Sequence, residues 1–440
     1  MSAASAVPAR AKQEAETWVR DWSWVDTTIW TERMLAALDN GVKGSKWFSL
    51  IDKVARADTL RQAWEKVARN KGAAGVDGQS VEKFAAQAGA YLNELEETLK
   101  RGSYRPQPVK RVEIPKGPGQ TRPLGIPAVK DRIVQTALKR VCEPIFEREF
   151  HDNSYGFRPG RGCKDALREV DRLIKDGYPH VVDADLKSYF DSIPHERLLA
   201  RVEERISDGR VLDLIRGYLS QDILHGLVRW TPTGGTPQGA VISPLLANLY
   251  LHPLDGLMQG KGYRMVRYAD DFVILCRTAE EAKAALEEVH AWVEANGLAL
   301  HPDKTQVGDC RETGQGFDFL GYRFEAGRRW VRKKSLKTMK DKLRSQTGRT
   351  RGVSLKRIIV EINPILKGWF GYFKHAHPLE FKRLDGFIRR RLRALLRKRA
   401  KRPGMGHCHA DHARWPKAFF AEQGLFTLTG AHAQASQSRC

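Results

Sequence analysis

A chain of 440 residues with 41% apolar content has the length for two or three domains with ample core, and none of its apolar runs approaches the ~20 residues of a membrane span. Six cysteines without a pairing pattern suit a reducing compartment, and the start Met1-Ser2-Ala3-Ala4-Ser5-Ala6 lacks the regions of a secretory signal, so a cytoplasmic protein is expected. The net charge of +23 is local: residues 328–402 hold 26 Lys and Arg against 4 Asp and Glu, which excludes a generic basic surface and leaves a solvated helix face, a membrane-surface patch or the footprint of a polyanion. Aromatics interleaved with the charge, Trp369, Phe370, Tyr372 and Phe373, favour the polyanion, and specifically a nucleic acid.

In chain order, residues 1–16 are Ala/Ser-rich and expected to be disordered. Trp18, Trp22, Trp24 and Trp30 follow; they either grip a partner or close a helix onto the body, and aromatic stripes are more often buried area. Residues 47–100 read as helical, with Leu60, Trp64 and Val67, then Leu92, Leu95 and Leu99, at helical spacing. Pro115 to Arg122 reads as a loop between two strands, and Thr231 to Gly235 as another loop leading to Ser243-Pro244, an N-cap with proline in the first turn. Ala279–Asn296 reads as an amphipathic helix closed by Asn296-Gly297. Ser345–Gly352 is a polar hinge, and the helical pattern from Leu355 ends at Pro403-Gly404.

Tyr268-Ala269-Asp270-Asp271 lies between the apolar runs Met265-Val266 and Phe272–Leu275, so it reads as the tight turn of a hairpin. Neighbouring strand side chains point to opposite faces, so Asp270 and Asp271 cannot serve one cation equivalently and a second acidic segment is needed. Val181 to Asp191 supplies it, with Asp183 and Asp185 on one face. An isolated Asp-Asp pair is usually a solvated turn; apolar flanks and a second acidic strand favour a site for Mg²⁺, which takes one or two protein carboxylates and leaves its other positions to water and phosphate.

These segments resemble the group II intron-encoded reverse transcriptase/maturase family. Tyr268–Asp271 and Asp185-Leu186-Lys187-Ser188-Tyr189-Phe190-Asp191 are similar to the reverse transcriptase palm. Arg122–Pro127, Ser154–Arg161, Thr236–Leu245, Gly297–Thr305, Phe319–Tyr322 and Gly368–Phe373 follow in family order, and the likeness spans about residues 47 to 430. The resemblance implies an α+β right-hand polymerase: an N-terminal extension over 1–46, fingers and palm with an antiparallel sheet over 47–325, a basic helical thumb/maturase domain over 326–402, and a C-terminal tail over 403–440 containing a short DNA-binding segment.

It also implies roles. Asp185, Asp270 and Asp271 would be catalytic and hold two Mg²⁺ ions, with Asp183 an auxiliary acid. Lys116, Arg122, Phe190, Gln238 and Lys304 would hold the incoming deoxynucleotide, Phe190 as the gate against a 2′-hydroxyl. Arg158, Arg161, Trp369, Tyr372, Arg389, Arg390 and Arg391 would bind nucleic acid. Partners would be intron RNA, a DNA target and primer, and dNTPs, with no membrane; the oligomeric state stays open. Arg161 is followed by Gly162-Cys163-Lys164 where relatives often carry Ser and His, and the thumb is not followed by a His-Asn-His-type endonuclease. His407-Cys408-His409 with His412 has one thiol and crowded spacing, unlike a zinc site with paired ligands. The alternatives are a retron, diversity-generating or defence-associated reverse transcriptase, and a non-enzymatic RNA-binding splicing cofactor.

Overall fold

The computed structural model describes residues 22–437 except Lys43, Pro118 and His407; residues 1–16, Trp18, His407 and the side chain of Lys116 therefore lie outside the described residues. The strands are β1 (Val109–Gly117), β2 (Gln120–Ile126), β3 (His180–Asp185), β4 (Ile223–His225), β5 (Val228–Trp230) and β6 (Arg264–Tyr268). They continue with β7 (Asp271–Cys276), β8 (Gln306–Asp309), β9 (Phe317–Phe319), β10 (Tyr322–Glu325) and β11 (Arg328–Val331). The chain divides into two compact units: residues 1–150, 157–160 and 188–252 form one, and residues 151–156, 161–187 and 253–440 the other.

In the first unit, helices α1 (Ala57–Asn70) and α2 (Ala88–Arg101) carry the spacing expected of residues 47–100 and bury Leu60, Val67, Leu95 and Leu99, and the longer helix α3 (Val129–Glu147) follows. The sheet runs β2-β1-β4-β5, with β1 and β4 parallel. Its hairpin is longer than the sequence suggests: Pro115 pairs with Thr121 and Gly117 with Gln120, so the expected loop shrinks to its tip. Proline fits at Pro115 because a ladder position facing away from a partner needs no N–H. Trp30 is fully buried, its indole donating to the Arg140 carbonyl and its ring 5.1 Å from Trp47, so this tryptophan closes the N-terminal segment onto the body.

In the second unit, the sheet order is β6-β7-β3-β8, all antiparallel. Helices α4 (Cys163–Lys175) and α5 (Ala279–Ala295) pack on it, the latter capped by Thr278, whose side chain accepts from the Glu281 amide, and closed at Asn296 as its sequence predicts. A second sheet, β11-β10-β9, leads into α6 (Lys333–Gln346), α7 (Leu355–Phe373) and α8 (Pro378–Arg399). Residues of both sheets and of these helices share one apolar core. The described residues from 403 form short helices and α9 (Leu428–Gln437), with Trp415, Phe420, Leu425 and Leu428 in that core.

A fully buried ion pair lies in this unit. Arg267 of β6 and Asp255 are both 0% exposed and form a bidentate pair, Arg267 Nε donating to Asp255 Oδ1 at 2.7 Å and Nη2 to Oδ2. The Arg267 Nη1 donates to the Ala269 carbonyl at 2.9 Å, so the pair fastens the turn that follows β6. Breaking a buried pair leaves an uncompensated charge in low dielectric. Asp255→Asn is expected to destabilise the protein by about 3–5 kcal/mol in denaturant unfolding. The double variant Asp255→Leu/Arg267→Met is expected to recover much of that loss; a double variant as unstable as the single one would show that the charges themselves are not the cause.

Candidate active site

The apolar flanks of Tyr268–Asp271 form the hairpin β6–β7, with Tyr268 paired to Asp271 and only Ala269 and Asp270 in the turn. Ala269 has φ +62°, the left-handed conformation that two-residue hairpin turns impose. The turn is held from three directions. Arg267 grips the Ala269 carbonyl, while the Tyr155 amide donates to the Arg267 carbonyl at 2.8 Å and the Arg267 amide to the Asn153 carbonyl at 2.9 Å. Gly156 then passes so close that a Cβ there would lie 2.3 Å from the Ala269 nitrogen. The Ser154-Tyr155-Gly156 segment therefore acts as a backbone brace for the acidic turn.

Asp185, at the end of β3, is the cross-strand partner of Asp271 at the start of β7, so the two carboxylates share a face, and Asp183 lies on that face two residues earlier. Burial pushes the Asp271 carboxyl up to about 7, with the charges of Asp183, Asp270 and Asp185 adding to the rise. Burial pushes Asp183 up to about 6, opposed by the Gln306 amide and assisted by Asp318. Asp270 is also raised, by burial and then by Asp185, against a hydrogen bond from its own backbone. Ionisation of Asp183, Asp270 and Asp271 is thus disfavoured in a partly dry site, the condition that a bound cation relieves.

The donor set is all carboxylate oxygen, which suits a hard divalent ion. As the side chains stand, the described residues bring no three His, Cys, Asp or Glu groups close enough to hold one. Lys304 instead supplies the counter-charge, its Nζ on the Asp185 carboxylate. Arg332 and Asp318, which the sequence reading left without a role, join at the other side: Arg332 Nε is 2.8 Å from Asp318 Oδ2, and the Arg332 charge eases the burden on both Asp183 and Asp271. The signal for Asp318 was its place directly before Phe319-Leu320-Gly321-Tyr322.

In the other unit, Arg122, Phe190 and Gln238 come from three motifs that lock together through backbone. The Gly125 amide donates to the Gln238 carbonyl at 2.6 Å, and a Cβ on Gly239, whose φ is +106°, would lie 2.4 Å from the Gly125 oxygen. The Thr236 amide donates to the Phe190 carbonyl at 2.6 Å, and Gln238 Nε2 donates to Asp191 Oδ2 at 3.3 Å. Phe190 is half-buried, its ring edge-on to Tyr189, whose buried hydroxyl donates to the Ala247 carbonyl. Arg122 is exposed on β2 and forms no ion pair among the described residues. Ser243, expected as a helix cap, donates its hydroxyl to the Pro237 carbonyl at 3.0 Å and so pins the same loop. Arg111 was missed: it sits 5.7 Å from the Trp230 ring and its charge acts on Asp191.

Several expected nucleic-acid contacts have other work in the structure. Arg158 is buried against Glu147 at 2.7 Å and over the Phe150 ring, so its charge is spent internally. Arg161 binds the Asp152 carbonyl and carboxylate, steadying the brace segment. Trp369 packs against Phe373 and Phe381, and Tyr372 donates to the Leu320 carbonyl at 2.7 Å, so both face the core. Arg391 caps the end of α6, donating to the Thr347 hydroxyl and to the Arg344 and Thr347 carbonyls. Arg389 and Arg390 remain partly exposed. Arg390 and Arg391 of α8 and Lys340 and Arg344 of α6 all lie within 5.9 Å of the half-buried Phe387 ring, a cluster of four cations on one aromatic.

Comparison with known proteins bears on this arrangement. Residues 114–324 match the family "Reverse transcriptase (RNA-dependent DNA polymerase)", and residues 336–414 match "Group II intron, maturase-specific domain". Protein YkfC of Escherichia coli K12 is 35% identical over 316 residues, covering 62% of this chain and 82% of that protein. The group II intron-encoded protein LtrA of Lactococcus lactis subsp. cremoris is 37% identical over 203 residues, 46% of this chain and 33% of LtrA. The putative COX1/OXI3 intron 1 protein of Saccharomyces cerevisiae is 24% identical over 388 residues, 74% of this chain and 45% of that protein. The chain thus spans most of the first relative, a third of the second and under half of the third. With both domain matches in this order, the acidic hairpin inside the first, and a relative 35% identical over most of its length, the chain belongs to the group II intron reverse transcriptase/maturase family.

Proposed function

We propose that this protein extends a DNA primer on an RNA template and also holds a group II intron RNA, assisting its splicing and its transfer to a DNA target. The observation that carries the polymerase half is the shared face of Asp183, Asp185 and Asp271 beside the braced Asp270 turn. Asp185, Asp270 and Asp271 would hold two Mg²⁺ ions, which when bound stabilise the attacking and leaving oxygens of an in-line displacement. The chain's own part is to keep the carboxylates in place through the Arg267 grip, with Lys304 able to pass from Asp185 to a phosphate. Phe190, fixed through Tyr189, would exclude the 2′-hydroxyl, and Arg122 and Gln238, with Lys116, would hold the nucleotide. In this reading residues 47–325 are fingers and palm, and residues 326–402 the thumb/maturase domain. The RNA-binding half rests on the +22 of residues 328–402 and on the cations around Phe387. The maturase-specific match over 336–414 favours this reading over a retron-type or defence-associated enzyme.

Asp270→Asn is expected to lower primer extension on RNA by about 10³-fold or more, since a lost metal ligand forfeits several kcal/mol of transition-state stabilisation, while intron RNA affinity stays within about twofold. Full-rate extension by this variant would remove Asp270 from the site. Phe190→Ala is expected to admit ribonucleotides about tenfold better, read as the ratio of kcat/KM for rNTP and dNTP; an unchanged ratio would leave Phe190 a packing residue. Lys340→Gln/Arg390→Gln is expected to weaken intron RNA binding and protein-assisted splicing at near-physiological Mg²⁺, while extension of a saturating short primer-template persists. Arg391 is left intact in that variant because it caps α6. Splicing at the parent rate would exclude the Phe387 cluster as the intron-binding surface.

A further inference from the structure

A cavity of about 350 Å³ opens in the second unit where α4 ends, β10 turns into β11, α7 hands over to α8, and α9 covers one side. Its wall carries Lys175, Arg328, Arg329, Lys374, His375 and His377. A single carboxylate faces them: Asp171 holds Lys175 at 2.8 Å and Arg329 at 3.4 Å. Arg328 and Lys374 form no ion pair among the described residues. A basic helix face in water lets its charges splay apart, whereas these cations are gathered from separate elements into one concavity, where their repulsion is relieved by a bound anion.

His377 is set up as a donor. His377 accepts the Leu379 amide at Nδ1, so its proton belongs on Nε2, and its ring lies 4.5 Å from Trp330. Burial and the charges of Arg328 and Arg383 lower its pKa, which keeps it a neutral donor. His377 is also the N-cap of α8, a helix of 22 residues whose positive end adds to the field. The cavity is separate from the acidic site. Cys163, at the start of α4, hydrogen-bonds the Tyr268 hydroxyl beside the acidic turn, whereas Asp171 and Lys175 lie about 12 and 18 Å further along the helix.

We propose that this cavity is a phosphate pocket that seats a backbone phosphate of the RNA the protein holds, an anchoring point distinct from both the polymerase acids and the Phe387 cluster. It rests on the RNA-binding reading above. Its partly exposed, long-armed cations suit a phosphate arriving on a polymer, and the Trp330–His377 pair at its edge offers an aromatic face to the adjoining base.

The test uses the full chain with Arg328→Gln/Lys374→Gln, a folded group II intron RNA, a short primer-template and inorganic phosphate. The expected result is an intron RNA affinity about tenfold weaker, a slope of log affinity against log salt shallower by about 0.7–0.9 for one lost phosphate contact, and unchanged extension at saturating primer-template. Arg328→Lys/Lys374→Arg, which keeps the charge, should retain parent affinity and so separates charge loss from misfolding. Unchanged affinity and slope in the Gln variant, with a parent that binds intron RNA normally, would overturn the pocket and leave the proposed function standing. Inorganic phosphate binding to the parent below about 1 mM with unchanged RNA affinity in the variant would assign the pocket to free phosphate and overturn the RNA source. A parent that extends primers yet does not bind intron RNA would remove the RNA-binding reading, and this pocket with it.

Discussion

The position of the acidic turn depends on an ion pair that water never reaches. Arg267 and Asp255 are both fully buried, and the guanidinium has a further N–H committed to the Ala269 carbonyl. Charges taken out of water are tolerated only where geometry and additional hydrogen bonds compensate the lost hydration, and here the bidentate contact and the backbone bond do so. The consequence is positional. A turn between two strands is ordinarily free to fray, but this one is tied to an aspartate that lies twelve residues before Arg267 in the chain.

The brace on the opposite side of the turn is built from backbone. Asn153 and Tyr155 continue the hydrogen bonding of β6, and Gly156 approaches the Ala269 nitrogen closely enough to exclude any side chain. Gly239 plays the same part in the other unit, where its lack of a Cβ lets the Gln238 loop meet Gly125. The family motifs that look like catalytic signatures are therefore, in good part, statements about which backbones must touch.

Electrostatics divides the second unit into two regimes. At one end of the β6-β7-β3-β8 sheet, burial and neighbouring carboxylates raise the proton affinity of Asp183, Asp270 and Asp271, with Lys304 and Arg332 as the nearby cations. Among the helices after β11, the imbalance is reversed: cations crowd Phe387 and the α7–α8 junction with few acids to answer them. Each regime is unfavourable in the protein alone, and each would be relieved by a ligand of opposite sign, as the proposed divalent cation and phosphate are.

The sequence by itself determined the elements whose signal is local. The hairpin at Tyr268–Asp271, the second acidic strand ending at Asp185, helix α5 with its C-terminal close at Asn296 and the polarised charge of 328–402 all follow from spacing, alternation and composition, and the structure keeps the first three. The tertiary structure alone decided which charged and aromatic groups are spent internally. Arg158 and Arg391 read as free cations until Glu147 and the end of α6 are seen against them, and Trp369 and Tyr372 read as a nucleic-acid face until they are seen packed, half-buried, against the core. Arg267, Asp255 and Arg332 were equally silent, because each acts through a partner brought near only by folding. A side chain's type is written in the sequence, but whether its charge faces water or is already neutralised depends on contacts distant along the chain, and those exist only once the chain has folded.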